Sequence, residues 1–427
     1  MTIHVVTPGE NLTTIATKYD TTPELISSIN ELPNPENLVV GQSLAIRIPE
    51  VVHTVLLGDT LSKLANSYGV TVTQIQQNNP EKTAKGFLVP GDTLIISFAF
   101  EDQKHPITIN GYAYPFIDRT VLKKTLPFLT YLSIFTYGFT KEGALVPVED
   151  EDLLALAKEY LVAPVMVLAP ITLDGTFNSG IAHNMFIDEA VEDQLIENIV
   201  ATMLAKGYQG LDIDFEFILP EDKANFLSFI TKVQARLSQE GLVTFVALAP
   251  KTSGEMTGLL YEAHDYPTIG AVADKVLLMT YEWGYMFGPP MATSPLNSMK
   301  RVLDYGVSVI DPSKILVGIP NYAYDWPLPF LRGETQAEAL SNQEAIARAA
   351  YTNEMINFDP LAQAPYYFYS DDTGVAHVVW FDDVRSMEAK MNLIPEYGLN
   401  GAGVWQIMKY FPGLWNVVGS QYSVQKV

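Results

Sequence analysis

The chain has 427 residues, 48% of them hydrophobic and 18% charged, which supplies a large core and excludes a disordered chain. Acidic residues outnumber basic ones 49 to 26, a formal net charge of −23 that repels nucleic acid and anionic lipid and leaves a neutral polymer such as a glycan as a compatible partner. There is no cysteine, and the six histidines show no metal-ligand spacing, so disulfides, thiolate sites, a metal and a cofactor are not expected.

The N-terminus, MTIHVVTPGENL, lacks the basic segment and apolar stretch of a secretory signal, and no apolar run is long enough to span a membrane. Synthesis in the cytoplasm without ordinary export is the expectation. An internal repeat follows: HVVTPGENLTTIATKYDTTPELISSIN from His4 aligns with HTVLLGDTLSKLANSYGVTVTQIQQNN from His53. Leu12 falls on Leu61, Ala16 on Ala65, Tyr19 on Tyr68 and Asn30 on Asn79. After one inserted residue LVVGQSLAIRIP matches LVPGDTLIISF, with Gly41 on Gly91.

Each copy predicts strand, helix, helix, strand, over 1–49 and 50–98, with Leu12, Ile15, Ala16 and Tyr19 on one helix face. Spacing alone also fits a structural spacer. The motifs H-x-V-x-x-G-[DE]-[NT]-L and V-x-x-G-[QD]-[ST]-L, however, resemble the LysM domain. That resemblance implies binding of chains containing N-acetylglucosamine (GlcNAc), in peptidoglycan or chitin. Gly9, Glu10 and Asn11, and Gly58, Asp59 and Thr60, would line two sugar grooves.

A polar junction, AFEDQKHP, covers 99–106, and from 107 to 427 short apolar runs alternate with helical patterns. Eight strands are predicted: ITINGYAY, YLSIFTYGF, APVMVLAP, GLDIDFEF, VTFVALAP, KVLLMTYE, ILVGIPNYAY and GAGVWQI. Helical stretches between them end in glycine, at Gly207, Gly241 and Gly306, as a C-cap requires. The order predicts an α/β fold, a closed (β/α)8 barrel, with a small α+β subdomain inserted over about 324–383.

In the fourth strand, Asp212, Asp214 and Glu216 alternate with Leu211, Ile213, Phe215 and Phe217. Side chains alternate across a strand, so the acids share one face and the apolar residues the other. A surface strand with its acids in water is the ordinary reading of such a pattern. Fourth in a parallel series, though, the strand has both faces covered, which puts three carboxylates inside the barrel. Burying like charges raises their pKa values into the range useful for proton transfer, and Glu216 falls at the C-terminal mouth where barrel active sites lie.

GLDIDFEF resembles the D-G-x-D-x-D-x-E signature of family 18 glycoside hydrolases, supported by MTYE with Tyr281, by Trp405, and by Ser133 and Phe135. Gln209 replaces the first aspartate of the signature, a position expected deep in the barrel, and Glu282 stands where many members have aspartate. The resemblance implies that Glu216 is the acid and base, that Asp214 supports the substrate's own acetamide as nucleophile, that Asp212 shares a proton with Asp214, and that Tyr281 aligns the acetamide. Trp405, Tyr112, Phe135, Met279, Glu282, Trp283, Tyr322 and Trp326 are the candidate substrate contacts. With two LysM modules in front and no export signal, the chain resembles the spore-cortex-lytic glucosaminidases of endospore-forming bacteria. A chitinase of the same mechanism and a lectin without activity are the competing readings, the latter opposed by the intact Glu216.

Overall fold

The computed structural model describes residues 1–101, 104–172 and 175–427. Eight parallel strands form its centre: His105–Ala113, Tyr131–Phe139, Ala163–Leu168, Gly210–Ile213, Val243–Leu248, Lys275–Leu278, Ile315–Pro320 and Gly401–Trp405. Each pairs with the next, and the eighth pairs with the first, closing the barrel. Alternation sorts the side chains into two apolar groups. Tyr112, Val165, Val167, Phe245, Ala247, Leu277 and Leu316 fill the interior. Leu211, Ile213, Phe215, Val246, Val276 and Val317 face the surrounding helices.

Several strands stop earlier than the apolar runs suggest. The fourth ends at Ile213, after which the Asp214 N–H still reaches the Leu168 carbonyl at 3.0 Å. Phe217 then takes φ +56° and is 38% exposed, so it does not pack on the helices as the alternation predicts. A left-handed residue turns the chain out of the strand, and the alternation ends with it.

The expected helices appear at Glu151–Glu159, Glu189–Lys206, Lys223–Ser238 and Leu296–Val309. Gly207 caps the second in the left-handed region. Gly306 is not a cap: the helix runs through it, and a Cβ there would come 2.9 Å from Leu278. Close packing on the sixth strand, rather than termination, explains that glycine.

Between the seventh and eighth strands lies a five-stranded antiparallel sheet, from Ala323–Pro327 to Ala376–Trp380, with the helix Asn342–Thr352. At the N-terminus, Thr2–Val5 pairs with Ser43–Ile46 around the helices Leu12–Lys18 and Pro23–Asn30. Pro49–Thr54 pairs with Thr93–Phe98 around Leu61–Tyr68 and Val72–Asn78, with a short extra turn of helix at Pro80–Thr83.

Asp102 and Gln103, inside the polar junction expected over 99–106, lie outside the described residues. Its flanks are tied down. Glu101 is buried in an ion pair with Arg47 at 2.7 Å, Arg47 also donates to Asn416 at 3.2 Å, and the first barrel strand begins at His105. Lys124 on the barrel pairs with Glu31 at 2.6 Å and Glu81 at 2.5 Å, one from each module.

Candidate active site

The fourth strand delivers its acids to the barrel interior and mouth. Asp212 is fully buried, and the Tyr112 hydroxyl, reaching across from the first strand, donates to its Oδ2 at 2.5 Å. Asp214 follows where regular pairing ends, and Glu216 two residues later in the turn. Asp212 Oδ1 and Asp214 Oδ1 are buried without a hydrogen-bond partner among the described residues.

Carboxylates crowded into apolar surroundings hold their protons. Burial pushes Asp212 up to about 6, opposed by the Tyr112 hydroxyl. Asp214 is raised well above its ordinary value by burial, then by the charges of Glu216 and Asp212. Glu216 is raised to about 7 by burial and by the charge of Glu282. A group poised near neutrality can give a proton and take it back.

Tyr281 follows the sixth strand, 9% exposed, and its hydroxyl is raised well above its ordinary value by burial and by the charges of Asp214 and Glu216. Gly318 on the seventh strand makes room for it: a Cβ there would sit 2.8 Å from the Tyr281 ring. Met279 belongs to the same interior cluster. Around the mouth, Trp405 lies 4.9 Å from Phe135 and 5.7 Å from Tyr112 between ring centres. Cis peptide bonds follow both Phe135 and Trp405. On the opposite rim Glu282 accepts from Tyr322 at 2.6 Å and from Tyr324 at 3.1 Å.

Two of the candidate tryptophans stand elsewhere. Trp326 is fully buried in the inserted subdomain among Tyr324, Ala337 and Val378, its indole N–H donating to the Gly288 carbonyl at 2.9 Å, so no ligand reaches it. Trp283 is half-buried against the barrel's outer core rather than in the aromatic ring of the mouth. Gln209 is exposed, because the strand begins one residue later, and its side chain reaches only the Gly207 carbonyl at 3.3 Å. The altered core hydrogen bonding expected from it is absent.

In the module loops the polar candidates hold the loops together. Glu10 accepts from the Thr7 N–H at 2.8 Å and lies 3.0 Å from His4; Asp59 accepts from the Leu56 N–H at 2.7 Å and lies 2.8 Å from His53. Asn11 and Thr60 are helix N-caps, bonded to the N–H groups of Thr14 and Lys63. Gly9 and Gly58 take φ +85° and +90°, the left-handed turn that lets each loop close.

Sequence reasoning missed three residues. Tyr114 lies 5.3 Å from Phe135 and 6.1 Å from Trp405, and its hydroxyl is raised by burial and by Asp214. Its place at the end of ITINGYAY could have flagged it. Tyr324, two residues after Tyr322, shares Glu282. His264, remote from every motif, spans two strands: the Ala249 N–H donates to its Nδ1 at 2.8 Å, and its Nε2–H donates to the Phe215 carbonyl at 3.0 Å. No local pattern marks it. Among the described residues no cluster of acids, histidines or cysteines could hold a metal ion, and no helix is long and apolar enough to cross a membrane.

Comparison with known proteins gives this geometry a family. The family Glycosyl hydrolases family 18 matches residues 175–409, and the LysM domain matches 4–47 and 53–97. The cortical fragment-lytic enzyme of Bacillus subtilis (strain 168) is 35% identical over 432 residues, covering 100% of this chain and 99% of that protein. The putative sporulation-specific glycosylase YdhD of the same organism is 31% identical over 429 residues and is covered 100% in both directions. The crystal structure of the Bacillus megaterium QM B1551 spore cortex-lytic enzyme SleL is 37% identical with a TM-score of 0.84, covering 100% of this chain and 99% of that one. With its acids placed along the fourth strand and its mouth ringed by aromatic residues, the chain belongs to glycosyl hydrolase family 18, a glycoside hydrolase carrying two LysM domains ahead of the barrel.

Proposed function

We propose that this glycoside hydrolase is an N-acetylglucosaminidase of spore cortex peptidoglycan, associated with the spore, that cleaves with retention by using the substrate's own acetamide as nucleophile. The observation that carries the reading is the graded set of buried acids, with one member, Glu216, at the mouth and poised near pH 7. Protonated Glu216 gives its proton to the glycosidic oxygen as the bond to the anomeric carbon breaks. The acetamide carbonyl of the sugar attacks that carbon, which needs no second carboxylate as nucleophile.

Asp214, whose Oδ1 has no protein partner among the described residues, accepts the acetamide N–H and balances the positive charge of the cyclic intermediate. Asp212, kept receptive as a carboxylate by the hydrogen bond that Tyr112 donates, takes up the proton that Asp214 gives away as it ionises. The Tyr281 hydroxyl fixes the acetamide in line for attack, and the partly exposed rings of Tyr114, Phe135 and Trp405 form the floor under the sugar, with Tyr112 buried beneath them. Glu216, now ionised, takes a proton from the water that opens the intermediate.

The relatives named for cortical fragments and spore cortex lysis, matched over the whole chain, favour cortex over chitin. Mass spectrometry of the products from purified cortex fragments tests this against chitin oligomers: cortex fragments should turn over faster, and faster chitin turnover refutes the cortex assignment. Glu216→Gln should lower kcat by about a thousandfold or more while retaining glycan binding, and unchanged turnover would overturn the catalytic role.

A further inference from the structure

The two LysM domains share a fold but present different surfaces. Each has a first loop after its opening strand, residues 7–11 and 56–60, and a second loop before its closing strand, ending at Gly41 and Gly91. In the first domain the second loop is docked on the barrel's inserted subdomain. Val39 is 6% exposed, packed with Ala345, Ala349 and Tyr367. The Ile356 N–H donates to the Val40 carbonyl at 2.9 Å, and Asn37 donates to the Ala350 carbonyl at 3.1 Å. At Gly41 the approach is closest, since a Cβ there would lie 2.0 Å from the Ile356 carbonyl oxygen.

The repeat places Phe87 at the position of Asn37, Val89 at that of Val39 and Gly91 at that of Gly41. No described residue covers these three: Phe87 is 65% exposed, Val89 37%, and a Cβ on Gly91 meets nothing within 4 Å. The first loop differs in the same sense, with Leu56 63% and Leu57 93% exposed where the first domain has Thr7 and Pro8. Four apolar side chains on one loop pair form the kind of patch that marks an interaction site. Such side chains suit the C–H faces of pyranose rings, while the loop backbone supplies hydrogen bonds to hydroxyl and acetamide groups.

We propose that the repeats divide the work. The second domain presents the face that contacts a GlcNAc-containing glycan strand, through Leu56, Leu57, Phe87 and Val89, while the first is the seat of the inserted subdomain, its second loop already occupied by this chain. The inference rests on the glycan-binding reading of the LysM domains and assigns that binding to one copy. Its test is co-sedimentation of the full-length chain carrying Glu216→Gln with purified cortex peptidoglycan, with thermal melting to confirm that each variant is folded.

Leu57→Ser with Phe87→Ser should weaken binding by about tenfold or more, whereas the equivalent pair Pro8→Ser with Asn37→Ser should change it by less than about twofold. Equal losses from both pairs, or unchanged binding in the folded Leu57 and Phe87 variant, would overturn the division. Failure of the Glu216→Gln chain itself to sediment would refute glycan binding by either domain, and residual cleavage by that chain would count only against the catalytic assignment.

Discussion

Glu216 has to carry a proton at the start of each cycle, and its surroundings set the pH range over which it does. With the carboxyl raised to about 7 by burial and by Glu282, kcat/KM should fall as the pH passes upward through about 7, a limb visible in a pH–rate profile on soluble cortex fragments. The same shift affects folding. A carboxyl whose folded pKa lies above its unfolded value of 4.5 favours the folded state below 4.5, and that contribution is lost as the pH rises toward 7. Glu216→Gln, which cannot ionise, should therefore melt above the parent at pH 8, with the difference closing below pH 4.5. Most of this acid set is legible in the sequence, because alternation along a strand is a strict geometric rule and a parallel series buries both faces. Trp326 and Gln209 were misread for a complementary reason. Residue type says that a tryptophan is large and a glutamine polar, but only the path of the chain says which wall each one joins.

The end of the fourth strand depends on an element that shares no motif with it. His264, neutral because burial lowers it to about 4, ties the Phe215 carbonyl to the Ala249 N–H of the neighbouring strand and so fixes the residue just before Glu216. His264→Leu leaves both backbone groups unpaired; kcat should drop by about 10- to 100-fold with a smaller change in KM, and His264→Gln should recover part of the loss. Steady-state kinetics of both variants on one soluble substrate check the positioning role. The strands begin within two residues of their expected places, but six of the eight end two to four residues early, since the apolar run continues into the turns that build the mouth. The paired glycines of the repeat make a second comparison at this scale. Gly41 and Gly91 both take positive φ, at +88° and +96°, but only Gly41 is pressed against another element. Gly41→Ala should cost about 2–5 kcal/mol and Gly91→Ala about 1–2 kcal/mol, measured by denaturant unfolding.

Across the whole molecule the repeat and the barrel were legible separately, while the contacts between them were not, because ion pairs between distant segments leave no periodic trace. Lys124 meets Glu31 and Glu81 at once, and its ammonium lies 4.0 Å from the centre of the Tyr410 ring. Lys124→Met removes the shared cation and leaves two carboxylates facing each other. Calorimetry should show a lower Tm, with unfolding of the N-terminal region separating from that of the barrel where the parent gives one transition. The buried clamp of Arg47, Glu101 and Asn416 has a consequence for the order of cleavage. A binding face on a slack tether samples many positions and cuts without regard to where it holds. The clamp ties down both ends of the second domain, Arg47 just before it and Glu101 just after it, and Lys124 holds Glu81 within it, so its binding face and Glu216 keep a constant separation. A strand held at one end is then cut at a set number of sugars from the grip, and the fragments should cluster in length.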